Sequence, residues 1–207
     1  YSTGIYEKFA SEAANQGLEI VSTTTFTDDT ATDFSVQLTD AKNAGADLLF
    51  LPIYYTPASL ILTQAQSMGY SPKVFGVDGM DGILTLENFD TTLAEGVMLL
   101  TPFAADAQDE QTAAFTAAYK AAYNATPDQF AADGYDAIYT IKAALEQSGA
   151  KPGDADFNEK MVAAMTAITV DGLTGTMKWD ADREPDKAAK AMVFNEDGTI
   201  NENGGPY

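Results

Sequence analysis

The segment 47-DLLFLPIYYTP-57 decides the fold prediction for this 207-residue chain. Asp47 to Ile53 is an almost continuous apolar run, which is typical of a strand buried on both faces of a parallel sheet. Pro57 then lies in the first turn of a helix predicted at about 57–68, and Gly69 follows that helix as a stop signal. A strand that leads so directly into a helix indicates an α/β fold.

The same alternation of helices and strands extends to both sides of this segment. Before it, a helix is predicted at residues 4–16 and another between Asp33 and Gly45, with a strand at Glu19–Phe26 between the two helices. After it, two further strands are expected, at Lys73–Val77 and Gly96–Thr101. Such alternation with short connections predicts a parallel sheet with helices on both of its sides.

The second half of the chain has a different pattern. Three Ala-rich amphipathic helices are predicted at 109–124, 127–148 and 155–168. Two strands are expected after them, at Thr174–Trp179 and Ala191–Phe194, then a tight turn at 195–198 and a polar tail at 201–207. The helices have few strands of their own to pack on. They are therefore expected to form a small bundle or to lie on a sheet that precedes Tyr1.

The composition limits the classes of function that the chain can have. There are 31 Asp and Glu against 11 Lys and Arg, so the formal charge is −20. Such a surface repels phosphate backbones and anionic membrane surfaces, so nucleic acid is not an expected partner. No apolar run approaches the roughly 20 residues needed to span a bilayer, so direct membrane insertion is not expected either. The chain has no Cys and no His, which removes the commonest nucleophile pairs, general base and transition-metal ligands. Catalysis through carboxylates or Lys stays possible, but the list of mechanisms is short, and we expect a protein that is not an enzyme and that uses neither a metal nor a cofactor.

Aromatic and acidic side chains follow the predicted strands at their carboxyl ends, where open α/β sheets bind ligands. Tyr54 and Tyr55 follow the first apolar strand, Asp78 follows the next one, and Tyr1 precedes the first helix. Individually, the tyrosines could be packing residues and Asp78-Gly79 only a turn. Together they are typical of a pocket with aromatic walls and one carboxylate for a cationic group. Asp78 is the expected partner of an ammonium group.

These segments carry a specific resemblance. It rests on Tyr1–Gly4, Thr32–Ser35, Leu51–Tyr55, Gly76–Asp81, Glu95–Val97, Phe130–Ala137 and Phe157–Trp179, in that order and spacing. The chain resembles the branched-chain amino-acid-binding proteins of ABC importers, which have the type I periplasmic-binding fold. The resemblance implies that residues 1–101 form the second ligand-binding lobe and residues 102–175 the helical part of the first lobe. It also implies that residues 176–207 contain the returning hinge strands and the tail.

The resemblance also implies roles for individual residues. Tyr1 matches a tyrosine that lines the cleft, and Tyr54 or Tyr55 matches a tyrosine that contacts the ligand. Asp78 stands where the family places an acidic residue on the ligand's α-amino group, and Phe130 matches an aromatic position near the cleft. Met80 stands where many relatives carry Trp. This difference leaves branched-chain, other aliphatic and aromatic amino acids open as ligands.

The implied function is that of an extracellular solute-binding protein, periplasmic or held at the cell surface as a lipoprotein. Its partners are an amino acid and the membrane permease of an ABC importer, and a dimer of this part of the chain is possible. Two alternatives stay open: a ligand-sensing domain of the same fold in a signalling receptor, and an α/β enzyme that uses Asp78 and Asp81.

The acidic loop Asp180–Asp186 resembles the start of a calcium loop but lacks the required Gly and Glu, so a solvated hairpin turn is expected there.

Overall fold

The structure is a computed structural model that describes residues 1–188, 190–195 and 200–201. Most of the turn predicted at 195–198 and nearly all of the tail predicted at 201–207 lie outside these residues. The chain divides into two compact units. The first comprises Tyr1–Thr101 and the chain from Ala191 onward, and the second comprises Pro102–Lys190.

The first unit is built on a five-stranded sheet. Its strands are β1 (Leu48–Leu51), β2 (Lys73–Gly76), β3 (Met98–Leu100), β7 (Ala191–Phe194) and β8 (Ile200–Asn201). Their spatial order is β1-β2-β3-β7-β8; the first three are parallel, and β7 and β8 join as antiparallel strands. The α/β prediction with a parallel sheet is confirmed.

Three helices belong to this unit: α1 (Ser2–Gln16), α2 (Ser35–Asn43) and α3 (Tyr55–Ser67). Gly17 ends α1 in the left-handed conformation, at a φ of 73° that glycine adopts without steric cost. Lys42 of α2 donates hydrogen bonds to the carbonyls of Met68 and Gly69, and so places a positive charge at the carboxyl end of α3. The centroids of the Phe9 ring of α1 and the Phe50 ring of β1 lie 3.9 Å apart.

Two local predictions in this unit are wrong. No strand forms between residues 18 and 27, although the segment is rich in β-formers, because no neighbouring strand pairs with it. Its apolar residues Ile20 and Val21 are exposed instead. In addition, β1 is only partly buried because it lies at the edge of the sheet, with β2 as its one neighbour in the described sheet.

The second unit contains three helices and a small antiparallel sheet. The helices are α4 (Glu110–Tyr123), α5 (Gln129–Ser148) and α6 (Phe157–Met165). The sheet consists of β4 (Thr169–Gly172), β5 (Gly175–Trp179) and β6 (Pro185–Asp186). Asp109 and Asp128 cap α4 and α5 by accepting backbone N–H bonds at 2.9 Å each.

A buried carboxylate joins α5 to the turn between β4 and β5. Asp136 is 3% exposed and accepts bonds from the backbone N–H groups of Leu173 and Thr174, both at 2.9 Å, and from the Thr174 hydroxyl at 2.7 Å. Gly172 makes the approach possible, because a Cβ at that position would overlap the Asp136 carboxylate.

The division into units differs from the expected domains at one boundary. Residues 176–190, expected among the returning strands, group with the helical unit because β5 and β6 pair with β4.

Helix α5 keeps apolar side chains exposed: Ile138 is 65% and Ile141 50% exposed. No helix in the described part of the chain is long and apolar enough to cross a membrane.

Candidate functional site

The carboxyl edge of the parallel sheet brings three of the predicted residues together. Leu51 at the end of β1 lies beside Gly76 at the end of β2, so the segments that follow both strands emerge next to each other. Tyr54 follows β1, Asp78 follows β2, and Tyr1 immediately precedes α1. Although they are far apart in sequence, these side chains form one contiguous cluster, which we call the edge cluster.

The edge cluster is held by hydrogen bonding and by ring stacking. The Tyr1 hydroxyl donates to Oδ1 of Asp78 at 2.6 Å and accepts from the backbone N–H of Gly79 at 3.0 Å. The Tyr1 and Tyr54 rings stack with centroids 4.8 Å apart and an interplanar angle of 19°. Each tyrosine remains 51% exposed, so the aromatic surface is available to a ligand. The cluster therefore presents an apolar wall beside a carboxylate.

The electrostatics of the edge cluster favour a protonated Tyr1. Burial of its hydroxyl, the hydrogen bond to Asp78 and the charge of Asp78 together raise the pKa of Tyr1 well above its ordinary value. The hydroxyl consequently stays a donor to Asp78 at physiological pH. A carboxylate held in this way, beside aromatic surface, can receive an ammonium group through a charge-assisted hydrogen bond.

Met80 and Tyr55 lie differently from the three clustered residues. Met80 is fully buried, and its sulfur occupies space that exists only because Gly76 has no Cβ. In this structure its side chain thus offers no exposed surface to a ligand. Tyr55 is partly buried at the start of α3.

Phe130 lies in the second unit, near the start of α5, and is 39% exposed. The same unit has a shallow cavity of about 300 Å³ beside Tyr135, Tyr139 and Lys142. No residue predicted for ligand binding lines this cavity.

Gly79 is a residue of the candidate site whose steric role the sequence did not reveal. A Cβ there would lie 2.6 Å from the Tyr1 hydroxyl oxygen and 2.9 Å from the carbonyl oxygen of Ile53. Glycine at this position is what allows the ring of Tyr1 to reach Asp78. An Asp-Gly pair after a strand signals a turn, and nothing in the sequence distinguishes this steric need from an ordinary turn.

The acidic groups of the described residues are predicted to hold no metal ion. Within residues 1–188, 190–195 and 200–201, no set of three or more Asp and Glu residues is arranged to hold an ion. In the acidic loop, Asp180 accepts the backbone N–H groups of Asp182 and Glu184 at 2.9 and 3.1 Å, which closes the hairpin between β5 and β6. Asp81 is buried and accepts the N–H of Gly82 at 2.9 Å.

A known protein family matches nearly the whole chain. The family described as periplasmic binding protein matches residues 1–199. Among curated proteins, the leucine-, isoleucine-, valine-, threonine- and alanine-binding protein of Pseudomonas aeruginosa is 28% identical over 148 residues. That alignment covers 72% of this chain and 38% of the relative.

Solved structures show the same fold. The leucine-binding protein LivK of Thermotoga maritima matches with a TM-score of 0.82 and 23% identity, over 97% of this chain and 55% of that one. The branched-chain amino acid transporter substrate-binding protein LivJ of Streptococcus pneumoniae, in complex with isoleucine, has a TM-score of 0.74 and 26% identity, over 92% and 53%. A solute-binding protein of R. palustris in complex with benzoate has a TM-score of 0.79 and 20% identity, over 93% and 52%.

The chain thus spans 38% of the curated relative and about half the length of these solved structures. The predicted type I periplasmic-binding fold is confirmed.

Proposed function

The chain belongs to the periplasmic binding protein family, and on that premise we propose that it is part of an extracellular solute-binding protein for an amino acid. The protein captures its ligand between two lobes and delivers it to the permease of an ABC importer. Its mechanism is the preference of the ligand for the closed state, with no covalent step. The names of the relatives, all solute-binding proteins, favour this role over an enzyme.

The observation that carries the proposal is the edge cluster. Tyr1 and Tyr54 supply half-exposed aromatic surface, and Asp78 supplies a negative charge 2.6 Å from the Tyr1 hydroxyl. An amino acid has both groups that such a site recognises, an ammonium for the carboxylate and a side chain for the aromatic wall. Tyr55, Met80 and Phe130 remain proposed contributors to the site, and Met80 would need to become exposed before it could touch a ligand.

The ligand class is aliphatic in this proposal, with branched-chain amino acids as the first candidates. Relatives named for leucine and isoleucine at 28% and 26% identity support it, whereas LivK and the benzoate-binding protein, at 23% and 20% identity, show the fold alone. The family supports an extracellular or periplasmic location. Attachment as a lipoprotein stays part of the proposal.

A thermal-shift screen against the twenty amino acids and benzoate tests the ligand class. It is performed on the intact protein that carries residues 1–207. A ligand present at about 1,000 times its Kd stabilises the native state by about 4 kcal/mol, which is readily seen as a raised midpoint. We expect leucine, isoleucine or valine to give the largest shifts. A shift with benzoate and with no amino acid would contradict the proposal.

Self-association through α5 remains a prediction. Ile138 and Ile141 are 65% and 50% exposed, and exposed apolar surface of this kind favours contact with a second copy or with another protein surface. Sedimentation of residues 1–207 over a wide range of concentration tests it. A monomer at every concentration would contradict it.

A further inference from the structure

The hydrogen-bond network of the edge cluster assigns a specific task to the Tyr1 hydroxyl. Its oxygen is bonded on two sides, since it accepts from the N–H of Gly79 at 3.0 Å and donates to Oδ1 of Asp78 at 2.6 Å. A hydroxyl has one proton, and here it is directed at the carboxylate. The short distance is typical of a charge-assisted O–H···O⁻ bond, the stronger class of hydrogen bond.

The Tyr1 ring has contacts besides that bond. Tyr54 stacks against one face of the ring at a centroid distance of 4.8 Å. Because Gly79 has no Cβ, the Tyr1 hydroxyl can approach the backbone closely. A Cβ at position 79 would lie only 2.6 Å from the hydroxyl oxygen. The Tyr54 ring and the Gly79 N–H therefore restrain the donor in addition to the carboxylate that it contacts.

Asp78, by contrast, is a short side chain at the start of a 3₁₀ turn, Asp78–Met80, and is only partly buried. The 2.6 Å bond from the Tyr1 hydroxyl restrains the rotation of this carboxylate about its two side-chain bonds. We propose that Tyr1 is a positioning residue, whose hydroxyl holds the Asp78 carboxylate in the orientation that receives the ligand's ammonium group. The inference rests on the proposed function, since it presumes that the ligand is an amine.

This role differs from that of a tyrosine that only lines the cleft. A lining residue acts on the ligand through its own ring, and Tyr1→Phe keeps the ring and its stacking partner. A positioning residue acts through Asp78, so its effect disappears once Asp78 has been removed. A double-mutant cycle between positions 1 and 78 separates the two roles.

The experiment measures ligand affinity by calorimetry, and by ligand-observed NMR for weak variants, in the intact protein that carries residues 1–207. The ligand is the amino acid that gives the largest shift in the thermal screen. We expect Tyr1→Phe to weaken binding about tenfold, the effect of losing one hydrogen bond to a charged group. Tyr6→Phe is the matched control: it removes a 2.9 Å bond between the hydroxyls of Tyr6, on α1, and Thr23, and we expect it to leave affinity unchanged within about twofold.

In the Asp78→Ala background, Tyr1→Phe is expected to change affinity by less than about twofold. An unchanged tenfold loss in that background would overturn the inference and show that the hydroxyl acts on the ligand itself.

A crystal structure of ligand-free Tyr1→Phe gives a readout that does not depend on affinity. We expect Asp78 to leave its wild-type rotamer or to occupy more than one. A single unchanged rotamer would overturn the inference. If the wild-type protein binds no amino acid at all, the proposed function fails, and the rotamer of Asp78 still decides whether Tyr1 positions it.

Discussion

Replacing Asp136 with alanine is expected to destabilise the second unit by about 3 kcal/mol. The Asp136 carboxylate is 3% exposed and accepts three hydrogen bonds, from two backbone N–H groups and the Thr174 hydroxyl. A buried donor left without a partner costs roughly 1–3 kcal/mol. Because water can enter the space left by the carboxylate, we take the lower end of that range for each of the three donors.

The matched control is Asp171→Ala. Asp171 lies on β4 in the same hairpin and also accepts a threonine hydroxyl, that of Thr176 at 2.7 Å, but it is exposed. Water replaces that bond almost fully, so we expect a loss below about 1 kcal/mol. The two variants remove the same functional group, which is buried and accepts three bonds at Asp136 but is exposed and accepts one at Asp171.

The assay is urea unfolding at pH 7, followed by tryptophan fluorescence. Trp179 is the one tryptophan of the chain, and it packs in the second unit against the core formed by Ala144, Ala164 and Ile168. Its signal therefore reports on the unit that contains Asp136. A shift of the midpoint at constant slope measures the change in the free energy of unfolding. Equal losses for Asp136→Ala and Asp171→Ala would refute the reasoning.

Three further predictions test other features of the structure. Gly172→Ala is expected to lower the thermal midpoint by roughly 10 °C, because its Cβ would overlap the Asp136 carboxylate; an unchanged midpoint would contradict this. Asp109→Ala removes the cap of α4 and should cost about 1 kcal/mol at pH 7, against almost nothing for the exposed Asp106→Ala in the same loop. The bond from the Thr112 N–H lowers the pKa of Asp109 in the folded protein. The loss of stability is therefore full above the ordinary aspartate pKa of about 3.9, and it disappears as the pH falls through the lower pKa that Asp109 has in the folded state. A loss that persists at pH 2 would contradict this prediction. Finally, raising NaCl from about 0.02 to 0.2 M should raise the melting temperature, because salt screens the repulsion among the acidic residues that give the chain its net charge of −20. A lower melting temperature in salt would contradict this, since it would show that attractive ion pairs outweigh the repulsion.

The regular elements near the sheet were largely predictable from the sequence. The apolar run at Asp47–Ile53 gave β1, and the glycines after the helices marked their ends, as at Gly17. These signals are local, because periodicity and capping depend on residues within one or two turns of each other.

What the sequence could not supply is pairing between distant segments. Residues 19–26 have the composition of a strand, but composition does not say whether a neighbour exists to pair with. The strand β4 was missed for the same reason, since Thr169–Gly172 becomes a strand through pairing with β5. The burial of β1 also depended on which strand lies at the edge of the sheet.

The candidate site shows the same limit. Their positions at the carboxyl ends of predicted strands, together with the resemblance, pointed to Tyr1, Tyr54 and Asp78, but the bond between Tyr1 and Asp78 joins residues 77 positions apart. The need for glycine at position 79 and the burial of Met80 both follow from how these segments meet in space. Neither leaves a signal in a single sequence.

The central claim is that Asp78 receives the ammonium group of an amino acid. The measurement that tests it most directly is calorimetry of leucine and of 4-methylpentanoate, which is leucine without its amine, on the wild-type protein and on Asp78→Ala. The account predicts that wild type prefers leucine by at least tenfold and that Asp78→Ala loses most of this preference, because the charged partner of the amine is gone. A preference for leucine that survives intact in Asp78→Ala would contradict the claim.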